Sequence, residues 1–304
     1  MRPLFKILFL IVIANICAAQ TKNELSPMVA KDSTKITYID PLSTISLYIE
    51  TSKNFFGKSY TTSSATGFIY QDSISQYLVT NWHVMTCRNP RDSSANNIEV
   101  LNNQGQKIKL DISDPDSLII YFHKKKLGTW FPIKISLKNN GQRKWLEHPL
   151  GKQIDVIALK LELTNEQSDS IEIYSLKKEE YSDDMILYPS INLSIIGFPF
   201  GFSSYGRFPI WKTGQLASDF DLNYDNLPVF LIDATTRSGM SGSPVIIKQT
   251  GTSLTRNAFQ VGGHSQKFLG IYSGRLPNDS DIGIVWKAIC IDEIIKTGTN
   301  RVDG

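Results

Sequence analysis

Gly239-Met240-Ser241-Gly242-Ser243-Pro244 runs directly into the apolar stretch Val245-Ile246-Ile247. A serine hydroxyl is a weak nucleophile until a base takes its proton. The oxyanion its attack creates needs backbone N–H groups aimed at it. Glycines before and after Ser241 allow backbone conformations that a Cβ forbids. The N–H groups of Gly239 and Ser241 are thereby expected to converge on one point. Taken alone, the hexapeptide also reads as an ordinary turn between strands, where Gly and Ser are common.

Two upstream segments supply what such a serine needs. In Tyr77-Leu78-Val79-Thr80-Asn81-Trp82-His83-Val84 an apolar strand leads straight into a histidine. A rigid strand end is a suitable mount for a general base. In Ile154-Asp155-Val156-Ile157-Ala158-Leu159-Lys160-Leu161 an acid stands at the mouth of an apolar strand. A carboxylate there is desolvated on one side and needs a partner. The ring N–H of His83 would be that partner, holding the tautomer whose other nitrogen faces Ser241. Asp183, Asp184 and Asp233 are rival acids; the first two lie in a polar stretch, and Asp233 is close in sequence to Ser241.

Around these segments the chain reads as short strands. Ile45–Ile49, Gly67–Tyr70, Leu118–Phe122, Leu193–Gly197, Val229–Asp233, Phe268–Tyr272 and Ile282–Trp286 are rich in Ile, Val, Tyr and Phe. Clusters of Asn, Asp, Ser and Gly separate them. One short helix is predicted over Ile289–Ile295, with apolar Ile291, Ile294 and Ile295 at helical spacing. Residues 88–152 are long and polar, and Lys124-Lys125-Lys126 reads as a solvated hairpin tip. Many short strands over this length fit antiparallel barrels.

The order His83, Asp155, Ser241, each in its own local context, resembles the trypsin/chymotrypsin superfamily, and within it the exported bacterial trypsin-like and glutamyl-endopeptidase-like branches. The likeness extends over residues 40–295. Ala65-Thr66-Gly67-Phe68-Ile69 resembles the strand before the histidine segment. Phe268-Leu269-Gly270-Ile271-Tyr272-Ser273-Gly274 resembles the strand that pairs with substrate, and Ile282-Gly283-Ile284-Val285 the far wall of the specificity pocket. The resemblance implies an all-β fold of two antiparallel six-stranded β-barrels with a short C-terminal helix. Residues 40–175 would form the first barrel, carrying His83 and Asp155, and 176–304 the second, carrying Ser241. It implies a serine endopeptidase acting on protein or peptide substrates through an acyl-enzyme, with His83, Asp155 and Ser241 as triad, Gly239 and Ser241 as oxyanion hole, and no cofactor. Thr235, Thr236, Tyr272, Ser273 and Gly283 would line the pocket. Thr235 would be its floor, which argues against strict cleavage after Arg or Lys. Glutamyl-specific relatives have a histidine where this chain has Tyr272. Arg237 and Arg275 could still favour an acidic substrate group, or be surface residues. Met240 stands where digestive relatives have the aspartate that captures a new N-terminus, so activation by that route is not expected.

Two rivals are of other kinds. An α/β-hydrolase places glycine two residues after its nucleophile and its histidine last in order; here Ser243 and the early His83 disagree. A catalytically inactive relative serving as a protein-binding module is the other.

The chain has 304 residues, 41% hydrophobic and 20% charged, a globular balance. Residues 1–19 read as a signal peptide: Arg2 and Lys6, then the apolar run Leu8–Ile13, then small residues Cys17-Ala18-Ala19. The run is short for a span of about 20 residues, so a secreted or periplasmic protein without a stable membrane span is expected. Cys17 as a lipid anchor is the alternative. Removing residues 1–19 lowers the net charge from +3 to +1, no footprint for nucleic acid. Residues 20–39 read as a loose arm. Cys87 and Cys290 could pair or stand alone. His123, His148 and His264 lie in polar contexts without metal-ligand spacing, and read as surface residues.

Overall fold

The computed structural model describes residues 28–32, 35–101, 104–180, 185–256, 259–278 and 280–301. The signal segment 1–19 with Cys17, and the rival acids Asp183 and Asp184, lie outside the described residues. Residues up to Pro41 form one unit. Within it β1 (Met28–Asp32) and β2 (Lys35–Ile39) pair antiparallel, so a hairpin stands where the sequence predicts a loose arm.

Leu42–Gly304 is the second unit. Its first half contains β3 (Ser46–Phe55), β4 (Lys58–Gln71), β5 (Gln76–Thr80), the short helix α1 (Trp82–Thr86), β6 (Asn97–Leu101) and β7 (Lys107–Asp111). There follow β8 (Ser117–Lys124), β9 (Trp130–Ser136), β10 (Lys138–Asn139), β11 (Gln142–Arg143), β12 (Leu146–Glu147), β13 (Ile157–Lys160), α2 (Asn165–Ser170), β14 (Ile171–Glu172) and β15 (Ser175–Lys177). The sheet runs β12-β13-β5-β4-β3-β8-β14, with β9 on β8 and β15 parallel to β4. It has nine strands, three more than a six-stranded barrel. Of the nine, β8, β9 and β12 come from the polar stretch 88–152, where β6 and β7 also pair as a separate two-stranded sheet; alternation such as that of Lys107–Asp111 makes half-exposed strands without a long apolar run. Lys124-Lys125-Lys126 do form an exposed tip, between β8 and β9.

The second half contains β16 (Asn192–Gly197), β17 (Ile210–Leu216), β18 (Val229–Asp233), β19 (Pro244–Leu254), β20 (Phe259–Arg275), β21 (Ile282–Lys287) and α3 (Ile289–Thr297). These strands close the expected six-stranded antiparallel barrel in the order β16-β17-β18-β21-β20-β19. The all-β, chymotrypsin-like fold is thereby established, with the C-terminal helix in place.

Three cores explain the continuous apolar runs. Leu47, Ile69, Leu78, Ile157 and Leu159 face the interior of the first half. Leu193, Phe230, Val245, Ile247 and Leu269 fill the second barrel. The alternate residues Phe68, Tyr70, Val79, Val156, Ile196, Ile246, Phe268 and Ile271 meet in a third cluster that joins the halves, together with Cys290, Ile291 and Ile294 of α3. Strands apolar on both faces are those sandwiched between two cores, and period-2 geometry sends neighbours to opposite sides. Each fully buried Leu, Ile or Phe contributes about 1.5–3 kcal/mol, so the joint between halves is as firmly made as either interior. Cys87 and Cys290 are both buried and unbridged. Among the described residues no helix is long and apolar enough to cross a membrane.

Candidate active site

His83 is the second residue of α1, which begins directly after Asn81 at the end of β5. Asp155 lies between a 3-10 turn at Gly151–Gln153 and β13. Because β13 pairs with β5, Ile157 opposite Thr80, the two strand ends bring carboxylate and imidazole together. Asn81 reinforces this, its amide donating to the Asp155 carbonyl at 2.7 Å.

The Asp155 carboxylate has a side chain only 4% exposed and is met by three donors. His83 Nδ1 lies 2.7 Å from Oδ2, the His83 backbone N–H donates to Oδ1 at 2.9 Å, and Ser273 Oγ donates to Oδ2 at 2.5 Å. A carboxylate so placed holds the imidazole proton on Nδ1. Nε2 is then an acceptor, and Ser241 Oγ lies 2.9 Å from it. The serine proton has a second acceptor in the Ser273 carbonyl, at 3.0 Å. Burial pulls the His83 pKa down, but the Asp155 charge and hydrogen bond outweigh it, so the imidazole titrates above its ordinary value of 6.5.

The Ser241 turn is set by backbone bonds. Gly239 has φ +90° and Gly242 φ +84°, both left-handed. A Cβ on Gly242 would lie 2.0 Å from the Thr66 carbonyl, and one on Gly239 2.3 Å from the Phe198 carbonyl. Glycine is therefore required twice over, by conformation and by space. The Ser238 carbonyl accepts from Phe200 N–H at 2.6 Å, and the Met240 carbonyl from Ser243 N–H at 2.9 Å. All described peptides being trans, the N–H on the far side of each, at Gly239 and Ser241, faces the opposite way. Neither has a protein acceptor among the described residues.

Three contributors escaped the sequence reading. Thr66 is fully buried on β4; its N–H donates to the Ser241 carbonyl at 3.0 Å and its hydroxyl to the Gly239 carbonyl at 2.9 Å. One first-half residue thus clamps the Ser241 turn of the second half. Asn81 bridges to the acid. Ser273, a predicted pocket residue, places its hydroxyl on Asp155, at a bulge between Tyr272 and Gly274. Nothing local marks these roles; they depend on which strands lie opposite.

Of the other pocket residues, Thr236 and Tyr272 are buried and bonded hydroxyl to hydroxyl at 2.5 Å. Gly283 lies against the Tyr272 ring, where a Cβ would stand 3.0 Å from it. Thr235 is exposed. Arg237 donates to the Thr236 carbonyl at 2.8 Å and is exposed, while Arg275 approaches Asp281 at 3.6 Å. Asp233 is exposed on β18, in register with Gln215 and Ile282, and takes no part in the hydrogen bonds around His83.

The three remaining histidines differ from one another. His264 is exposed. His148 is only 12% exposed in its side chain and pairs with Glu293 at 3.3 Å. His123 is fully buried among Trp130, Tyr174 and Phe208, and burial drives its pKa down to about 4. The lysines that follow it mislead, because Trp130, Tyr174 and Phe208 close around the ring on the face of β8 opposite Leu118, Ile120 and Phe122. No cluster of three His, Cys, Asp or Glu fit for a metal occurs among the described residues.

A chymotrypsin-like fold with hydroxyl, imidazole and carboxylate aligned at the junction of its halves defines the class of peptidase hydrolases. Residues 65–253 match the family model of the trypsin-like peptidase domain, more than half the chain; the chain belongs to that family. It is similar to the Rv3671c protease from M. tuberculosis in its active form, at 14% identity over 86% of this chain and 85% of that chain, TM-score 0.39. The inactive form of that protease is similar at 14% identity over 84% and 89%, TM-score 0.39. Among curated proteins none matches the sequence.

Proposed function

We propose that this chain is a serine endopeptidase in which Ser241 is the nucleophile, His83 the general base and Asp155 the group that orients it. Ser241 Oγ attacks the scissile carbonyl carbon as its proton passes to His83 Nε2. Asp155 stabilises the imidazolium. The N–H groups of Gly239 and Ser241 hold the oxyanion. His83 then protonates the departing amine, leaving an acyl ester on Ser241. Water attacks that ester with His83 again as base, and the carboxylic acid product leaves.

The observation that carries this reading is the unbroken line of contacts, Ser241 Oγ to His83 Nε2 at 2.9 Å and His83 Nδ1 to Asp155 Oδ2 at 2.7 Å. Substrates are extended segments of protein or peptide. A neutral pocket built from Thr236, Tyr272 and Gly283 supports preference for an uncharged residue over Arg or Lys. Residues 1–19 direct export to the periplasm or exterior; the N-terminus of the mature protein checks this.

A fluorophosphonate probe tests the reading directly. Wild-type protein should label and Ser241→Ala should not, with internal cleavage of casein lost in parallel, by a factor of about 10⁶ in turnover. Folded wild-type protein that neither labels nor cleaves would instead be an inactive binding module.

A further inference from the structure

We infer that Arg301, with its partner Glu147, is a positioning residue: the strand-like segment after α3 reaches back to the first half and holds both His83 and Asp155 in line. The inference rests on the peptidase reading of the same site.

The segment Gly298–Arg301 leaves α3, whose end is closed by Gly298 N–H on the Ile294 carbonyl at 2.7 Å. Thr299 then pairs with Glu147 as an antiparallel bridge, with bonds of 3.0 and 3.1 Å. Arg143 N–H donates to the Arg301 carbonyl at 3.0 Å, and the Asn300 amide to the Trp145 carbonyl at 3.0 Å. The Arg301 guanidinium donates to the Pro149 carbonyl at 2.9 Å and lies 3.6 Å from Glu147 Oε2. It also fills the space where a Cβ on Gly151 would be, at 2.9 Å. Gly151 opens the 3-10 turn that ends two residues before the acid, its carbonyl accepting from Ile154 N–H at 3.0 Å. Arg301 thus packs on the base of the turn that presents Asp155.

The same network reaches the histidine from the other side. Glu147 is 2% exposed in its side chain, and its Oε1 accepts from Arg143 at 2.7 Å and Trp145 Nε1 at 3.0 Å. Arg143 continues to Asp114 at 3.2 Å, and Asp114 to Arg88 at 2.5 Å. Asp114 N–H closes on the Thr86 carbonyl at 2.7 Å, at the last residue of α1. One chain of alternating charges, Arg301–Glu147–Arg143–Asp114–Arg88, therefore ties the acid's turn to the end of the base's helix. Glu147 carries a buried negative charge that needs its cations. Its arginine fork at Arg143 fixes geometry as well as charge. An exposed ion pair alone would contribute little; here Arg301 is the outer member of a mostly buried set and also satisfies backbone carbonyls.

Arg301→Ala is the test, with Arg301→Lys as the variant that keeps the charge but not the fork. Wild-type protein must first label with the fluorophosphonate; failure there removes the peptidase reading rather than this one. Given labelling, Arg301→Ala should slow it about 10-fold or more, with KM for a peptide ester unchanged and Arg301→Lys in between. The charged group facing His83 is Asp155, whereas Ser241 faces it uncharged and Ser273 meets the same carboxylate. Loosening Asp155 should accordingly lower the His83 midpoint in a proton NMR titration and move the acid limb of the labelling rate with it. An unchanged labelling rate in folded Arg301→Ala overturns the inference. So does a slower rate with an unmoved His83 titration, which would mark a structural contribution alone. Should Arg301→Ala not fold, the same two readouts on Arg301→Lys decide.

Discussion

The two halves of the Leu42–Gly304 unit hold their functional groups by different means. The second half is a closed barrel, and its Ser241 turn is set by backbone bonds, two left-handed glycines and the clamp from Thr66. The first half is a nine-stranded sheet, with His83 on a one-turn helix at a strand end and Asp155 just after a 3-10 turn. Those short mounts are steadied by side chains: Asn81, Ser273 and the arginine–carboxylate chain. The difference follows from what each group must do. An oxyanion hole needs donors fixed in direction, and backbone N–H groups held by their own hydrogen bonds supply them here. An acid–base pair needs a charge kept beside a ring, and a charge is held by donors around it.

Substitutions can break or sharpen this contrast. The largest effect should come where the halves meet. His83→Ala is expected to lower turnover by about 10⁶, and the double variant with Ser241→Ala no further, because residues that act as a unit are not additive; single-turnover acylation of a peptide ester measures it. Next, Asp155→Asn keeps the size but reverses the tautomer of His83, for an expected loss of about 10⁴ in kcat. If the loss were small, the first half would not be held by charge. Thr66→Val probes the second half: it removes a hydroxyl bonded to the Gly239 carbonyl and the Phe198 N–H. A drop of about 10-fold in kcat is expected, with the His83 titration unmoved, in contrast to Arg301→Ala.

The smallest effect is in pH. The proposed mechanism needs neutral His83, whose pKa is raised by Asp155, so the acid limb of kcat/KM should have its midpoint above 6.5. The folded chain binds more protons than the unfolded one between 6.5 and the raised value. This contribution to stability is full below 6.5, and is lost as pH rises through the folded pKa. Activity and stability should thus move in opposite directions across one window, as parallel rate profiles and denaturant titrations would register. A midpoint below 6.5 would contradict the pairing with Asp155.

Legibility in the sequence follows the range of the interactions. Strands such as Tyr77–Thr80 and Val229–Asp233 were readable because an apolar run bounded by polar residues specifies its own conformation. The half-polar strands β6, β7 and β9 were hidden within residues 88–152, since exposure on one face dilutes the signal. His123, beside an exposed lysine run, is buried by Trp130, Tyr174 and Phe208, contacts that no local pattern marks.

The sequence by itself determined the strand runs, the glycines around Ser241 and the order of His83, Asp155 and Ser241, because each is a property of a few adjacent residues. Tertiary structure alone decided that Thr66 holds the Ser241 turn, that Ser273 bonds Asp155, and that Arg301 lies beneath Gly151. Those contacts join residues more than a hundred positions apart, and they exist only once register and barrel closure have chosen which strand ends lie side by side.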